Sequence, residues 1–387
     1  MRNTAQKAIC FILVVGLMSC SHTRAIGRID QQANPPAISY QLSYQAGYVD
    51  VNNSWIGGTE TMNIAEHKGK LYAGVGYWMD LPYGKPKGDD PWTGSQVLVK
   101  DTDETPWRLD GNLGESTGRA EALLSATFVS DKNGKLLEKP ENILITSAPD
   151  AYQKVLYVWS RDDSTKQWVK IKVTDVERSE GARSLGAHMD KATNISMIFA
   201  GTSGGEIFSG YYDPSVPGRL VWNPKPELVD RDGRAMAFTV ANGELYCSVG
   251  RTLYKRTDGI KPEWKSVYQW TTPKPSKNYN NTIMRGLTTI QNPNGSGEII
   301  LAARENPGVI ERIDPTKNHE VTVEINVAEY FSKLWNTKKR GCLMAYNDMA
   351  PFNIPGTDTI VHLIGLQMHH PDKSIDLKTG FYMGSLA

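Results

Sequence analysis

Beyond residue 58, apolar and polar positions alternate along short runs that end in Gly, Asn, Asp or Pro, the period of half-buried β-strands. A helical period is confined to a short stretch around Val327 to Trp335. The strands recur in a fixed order of four segments, A to D. It is clearest at Arg234-Ala-Met-Ala-Phe-Thr-Val-Ala-Asn-Gly243, Glu244-Leu-Tyr-Cys-Ser-Val-Gly250, Leu253-Tyr-Lys-Arg-Thr-Asp258 and Glu263-Trp264-Lys-Ser-Val-Tyr268. The same order opens at Glu60 to Gly69 and continues through Lys70 to Gly76, Val97 to Asp101 and Pro106 to Leu109. A second unit has B at Asn142 to Thr146, C at Leu156 to Asp162 and D at Trp168 to Val173. A third has Met197 to Gly201, Phe208 to Asp213 and Leu220 to Trp222. The fifth runs through Glu298 to Ala303, Ile310 to Asp314 and Val321 to Val327. The sixth offers only Thr359 to Leu366 and Gly380 to Leu386.

The tryptophans that open segment D stand at 107, 168, 222 and 264, spaced by 61, 54 and 42 positions, which fits one four-stranded unit each. One such sheet leaves both faces and both edges exposed, whereas sheets packed radially cover one another's faces. The predicted fold is therefore all-β, a six-bladed β-propeller of four-stranded antiparallel blades, with seven blades if the long second unit is split. The sixth unit lacks a segment D, and Ile38-Ser-Tyr-Gln-Leu-Ser-Tyr-Gln45 is expected to supply it and close the ring. Segment C repeatedly ends in an Asp followed a few residues later by Trp: Asp101 to Trp107, Asp162 to Trp168, Asp213 to Trp222, Asp258 to Trp264. This resembles the Asp-box and kelch-type turns of propellers, where the Asp bonds its own backbone and the Trp fills the space between blades.

The N-terminus carries an address. Arg2 and Lys7 precede an apolar run from Ile9 to Met18 that is too short to span a bilayer as a stable helix and reads as an export signal. Its end, Leu17-Met18-Ser19-Cys20, resembles the lipobox of bacterial lipoproteins. That resemblance implies a lipidated Cys20 and, with Ser21 next, the outer membrane. The domains expected are a signal peptide at 1–19, a polar tether at 20–37 and a single propeller at 38–387. Cys247 and Cys342 sit in apolar strand-like runs. They read as two buried thiols, with one bond between them the alternative in an oxidising compartment.

Composition narrows the partners. With 43 Lys plus Arg against 42 Asp plus Glu, no global field draws nucleic acid or an acidic membrane, so the membrane is met only through the lipid. The local pattern differs. The D to A connections carry Arg119, Arg183, Arg234, Arg285 and Arg340, with Glu60 in the first unit, so five guanidiniums would converge on one funnel. Such a funnel attracts an anion, because Arg binds carboxylate or sulfate bidentately. The alternative is that each Arg pairs with an acid of the neighbouring unit, Glu121, Asp230, Asp232 or Asp348 among them.

Irregular loops on the same end bring Trp78, Tyr83 and Trp92, suited to stacking on sugar rings or to capping the blade edge, and His369 with His370. His188, a few residues into segment A, is the preferred candidate general base, the His369–His370 pair is the second, and Tyr212 offers a phenol for proton transfer. The reading is an exported lipoprotein that binds an anionic glycan, uronate-bearing or sulfated. Its candidate chemistry is β-elimination, as in the propeller polysaccharide lyases that the architecture resembles. Arg183 and Arg285 would neutralise the carboxylate and His188 would take the proton. A non-catalytic docking propeller is the second reading. A metal-dependent hydrolase or lactonase using Glu60, Asn347 and Asp348 is the third, disfavoured because a dication beside several guanidiniums is repelled. No cofactor is called for, no spacing matches a closed metal site, and the oligomeric state is left open.

Overall fold

The computed structural model describes residues 11–15, 42–77, 91–150, 155–176, 181–271, 283–293, 295–305, 308–334, 336, 342–353, 360–368 and 381–386. Among these the chain is all-β apart from short helical turns and one α-helix, Val327–Leu334, where the helical period stands. Among the described residues six larger sheets follow one another, the first five antiparallel meanders in chain order, beside a two-stranded ribbon of Tyr48–Val49 and Trp55–Ile56. The first runs through Glu60–His67, Lys70–Gly76, Gln96–Lys100 and Arg108–Asn112, and the second through Ala122–Ser130, Leu136–Ser147, Tyr157–Asp162 and Gln167–Lys172. The third has Ala182–Asp190, Ile195–Thr202, Glu206–Tyr212 and Leu220–Trp222, with Leu228–Val229 added beside Glu206 and Ile207. The fourth comprises Ala235–Ala241, Glu244–Val249, Thr252–Thr257 and Glu263–Gln269, and the fifth Met284–Gln291, Glu298–Arg304, Val309–Asp314 and Glu320–Asn326. The first strands of successive sheets lie against one another from Glu60–His67 through to Cys342–Asn353.

This stacking follows from the alternation. The first five sheets are apolar on both faces along their inner strands, and those faces close on neighbouring sheets. Phe128, Ile143 and Ile145 of the second sheet share a core with Ile198, Ala200 and Phe208 of the third. Tyr246 and Leu253 of the fourth do so with Leu287, Ile300 and Ile313 of the fifth. The outer strands are more exposed and carry Trp where a sheet needs its flank covered. A Cβ on Gly111 would stand 2.2 Å from Trp168 Cδ1, so only glycine lets that indole lie flat on the preceding sheet.

The sixth sheet departs from expectation. Its strands Cys342–Asn353, Ile360–Met368 and Phe381–Leu386 are joined by Phe11–Val15, which runs parallel to Phe381–Leu386 and belongs to the apolar run read as a signal. Residues 38–41 lie outside the described residues, and the stretch after them docks on the first sheet instead. Tyr48 Oη donates to the Trp107 carbonyl at 2.8 Å, Trp107 Nε1 donates to Ser43 Oγ at 3.0 Å, and Tyr44 donates to the Gly58 carbonyl. Tyrosines whose hydroxyls find carbonyl acceptors beside an apolar pocket gain more there than at a strand edge. Cys247 is a free, fully buried thiol.

Candidate functional site

Arg119, Arg183, Arg234 and Arg285 stand at or just before the first strands of successive sheets, and strand register decides which of them correspond. A one-residue bulge opens the first strand of three sheets: between Ala182 and Ser184, between Ala235 and Ala237, and between Met284 and Gly286. The first sheet has the same irregularity between Thr61 and Asn63. The bulged residues are Met62, Arg183, Met236 and Arg285. Thus Arg183 and Arg285 occupy equivalent places, whereas Arg234 and Glu60 precede the bulge. Counting back from the turn glycine cannot see this, because a bulge inserts a residue without changing the pattern around it.

Among the described residues these arginines are not a ring of unpaired cations. Arg119 Nε donates to Glu121 Oε1 at 2.7 Å, and Arg183 Nη1 reaches the same oxygen from the next sheet, also at 2.7 Å. One carboxylate oxygen thus holds two guanidiniums from neighbouring sheets, and Arg183 Nε has no hydrogen-bond partner among the described residues. Arg285 is buried and paired through Nε with Glu305, which follows the second strand of its own sheet. Its neighbour Arg304 lies 3.9 Å from the centre of the Trp270 ring and 2.9 Å from Glu311. Arg234 is half-buried, and its carbonyl accepts from Gly250 N. Glu60 pairs in register with Gly76, whose other side bridges to Arg119. Arg340 lies outside the described residues.

His188 is not a channel-facing base. It is buried, and its Nε2 lies 2.9 and 3.0 Å from the two oxygens of Asp258, at the turn after the third strand of the fourth sheet. Arg183 contacts the second sheet and His188 the fourth, so the two face opposite neighbours from one strand. They are five positions apart, and alternation separates residues at odd spacing. Tyr212 is likewise in the core, stacked on Phe128 with ring centres 5.7 Å apart. Burial, reinforced by Glu141, pushes its phenol above the ordinary value and away from proton transfer.

Two buried junctions account for what sequence reading missed. Between the first and second sheets, Arg161 donates through Nε and Nη2 to Asp110 and through Nη1 to Asp163, Trp168 Nε1 donates to Asp110, and Asp163 faces His67 Nε2. Between the third and fourth, Arg256 binds Glu227, Asp190 and Asp258, Trp264 Nε1 donates to Glu227, and Asp258 faces His188. The signal is an Arg-x-Asp shortly before the Trp, Arg161 to Asp163 and Arg256 to Asp258. Asp162 and Asp213 do cap their own turns, accepting from Ser164 N at 2.9 Å and Ser215 N at 3.0 Å.

No family model matches the chain, and no curated protein matches it. Solved structures match at a distance. A candidate 6-phosphogluconolactonase from Bacteroides uniformis ATCC 8492 shares 10% identity over 82% of this chain and 83% of its own, with a TM-score of 0.45. A candidate exo-beta-1,3-galactanase from Bifidobacterium bifidum s17 shares 12% identity over 72% of this chain and 94% of its own, with a TM-score of 0.34.

The loop residues divide. Trp92 lies on Tyr77 with ring centres 4.6 Å apart, and its Nε1 donates to the Glu115 carbonyl at 2.6 Å. Tyr77 N in turn donates to the Gly118 carbonyl at 2.9 Å, so this pair is joined to the chain one residue before Arg119. Trp78, Tyr83, His369, His370 and Cys20 lie outside the described residues. So do the side chains of Asn347 and Asp348. Among the described residues no group of three or more His, Cys, Asp or Glu side chains is placed to hold a metal.

Proposed function

We propose that the six sheets are the blades of one propeller, that Cys20 anchors it by lipid to a bacterial outer membrane once residues 1–19, the strand Phe11–Val15 of the sixth sheet among them, are removed, and that the surface carrying Arg119 and Arg183 binds an anionic glycan. Side-by-side first strands support the ring, and the lipobox-like Leu17-Met18-Ser19-Cys20 supports the anchor. One observation carries the ligand reading. Arg183 stands on a bulge, a device that re-aims a side chain, and shares a single carboxylate oxygen with a second guanidinium. A carboxylate or sulfate bridging the two would balance the second of the two positive charges that meet at one carboxylate.

Binding rather than cleavage fits this arrangement. β-Elimination needs a base within reach of the substrate, and two of the candidates, His188 and Tyr212, are buried with partners of their own. The test is to pass the protein over immobilised uronate and sulfated polysaccharides while following the absorbance of unsaturated sugar products in solution. Retention on at least one polymer with a flat absorbance trace is expected. Rising absorbance would establish a lyase, and retention on none would remove the glycan reading.

A further inference from the structure

Trp92 is fixed more firmly than a loop aromatic needs to be. One side of its indole lies against the buried Tyr77 ring, its only polar atom is committed to the Glu115 carbonyl, and it still keeps part of its surface exposed. Tyr77 is held by its hydroxyl, 2.9 Å from Thr93 Oγ1, and by its backbone bond to Gly118. Gly57 keeps this seat open, since a Cβ there would fall 2.0 Å from Tyr77 Oη. A continuous chain of contacts then runs from Trp92 through Tyr77 and Gly118 to Arg119, Glu121 and Arg183.

We infer that Trp92 is the stacking platform for the ring of a cyclic sugar acid whose carboxylate is received by Arg119 and Arg183. This rests on the anion-binding reading above and narrows it to pyranuronates. A pinned, partly exposed indole loses little conformational entropy on binding and presents a flat apolar face to the C–H face of a pyranose. An open-chain sugar acid carries the same carboxylate and hydroxyls but no rigid face to lay on the indole. The platform therefore supplies discrimination, and the guanidiniums supply attraction.

The experiment titrates the full chain calorimetrically with three probes: methyl galacturonoside, gluconate and acetate. The cyclic acid should bind roughly three- to tenfold more tightly than gluconate, the range of one aromatic contact. Trp92→Ala should bring that ratio to about one while leaving gluconate binding unchanged, and Trp92→Phe should restore much of it. The two variants should melt within a few degrees of the parent, because Trp92 is not part of the core. An unchanged ratio in Trp92→Ala overturns this inference and leaves the anion site standing. Binding of none of the three probes by the parent overturns both. Loss of gluconate binding in Trp92→Ala, with Trp92→Phe failing to restore the ratio, assigns Trp92 a structural role and also overturns it.

Discussion

At the third-to-fourth junction one guanidinium, Arg256, faces three carboxylates, those of Asp190, Glu227 and Asp258, with almost no exposure to water. Coulomb attraction inside the protein offsets desolvation only while all partners are present, so deleting the cation strands charges that water cannot reach. Arg256→Met is expected to lower unfolding free energy by about 3–5 kcal/mol in urea titrations. Arg256→Lys should recover only part of it, because a point charge cannot fork to Glu227 and reach Asp190 as well. The acids titrate with the fold. Burial alone would raise Asp163, but Lys68, His67 and Arg161 outweigh it and hold the carboxyl at about 2, and Arg256 with backbone donors does the same for Asp190. Both lie below their ordinary 3.8 in the folded chain. Their contribution is complete above about pH 4 and is lost as pH falls towards 2. Urea midpoints measured down that range should drop steeply, and Asp163→Asn should flatten the drop. Little of this was legible residue by residue. The Asp and Trp of the first four units stand out in the sequence, whereas Asp110 and Glu227 are unremarkable acids until an Arg and an indole of a neighbouring sheet are aimed at them.

Strands were the most legible level, because a period of two and turn glycines state themselves without knowledge of neighbours. Segments B, C and D of the fourth unit fall within a residue or two of Glu244–Val249, Thr252–Thr257 and Glu263–Gln269. What alternation hides is the bulge, which decides that Arg183 and Arg285 correspond to Met62 and Met236 and not to Arg234. It also hides which face looks at which neighbour, and so places His188 on Asp258 instead of beside Arg183. The glycines of outer strands are a second device at this scale. Gly111→Ala would press a methyl group into Trp168, whose indole is bonded to Asp110, and neither can retreat without breaking the junction. A loss of about 1–3 kcal/mol is expected, read as a lower melting temperature. The paired variant Gly111→Ala with Trp168→Ala should lose less than the two single changes summed, since the clash disappears with the ring.

For the whole molecule, a formal charge of +1 conceals a deliberate segregation. Acids and bases are sorted into buried junctions that join sheet to sheet, while Arg119 and Arg183 meet on a shared carboxylate oxygen. Neutral composition offers no field to draw nucleic acid, but it could not say which acid each arginine meets. That follows only from how successive sheets pack. The central claim is that the surface carrying Arg119 and Arg183 binds anions through Arg183 and that His188 only holds two sheets together. It is tested most directly by titrating a uronate oligosaccharide into the parent, Arg183→Gln and His188→Ala, with a melting curve for each. The account predicts that Arg183→Gln melts close to the parent and loses affinity at least about tenfold. It predicts that His188→Ala melts lower yet binds as the parent does. Undiminished binding by Arg183→Gln, or binding lost in a well-folded His188→Ala, would contradict it.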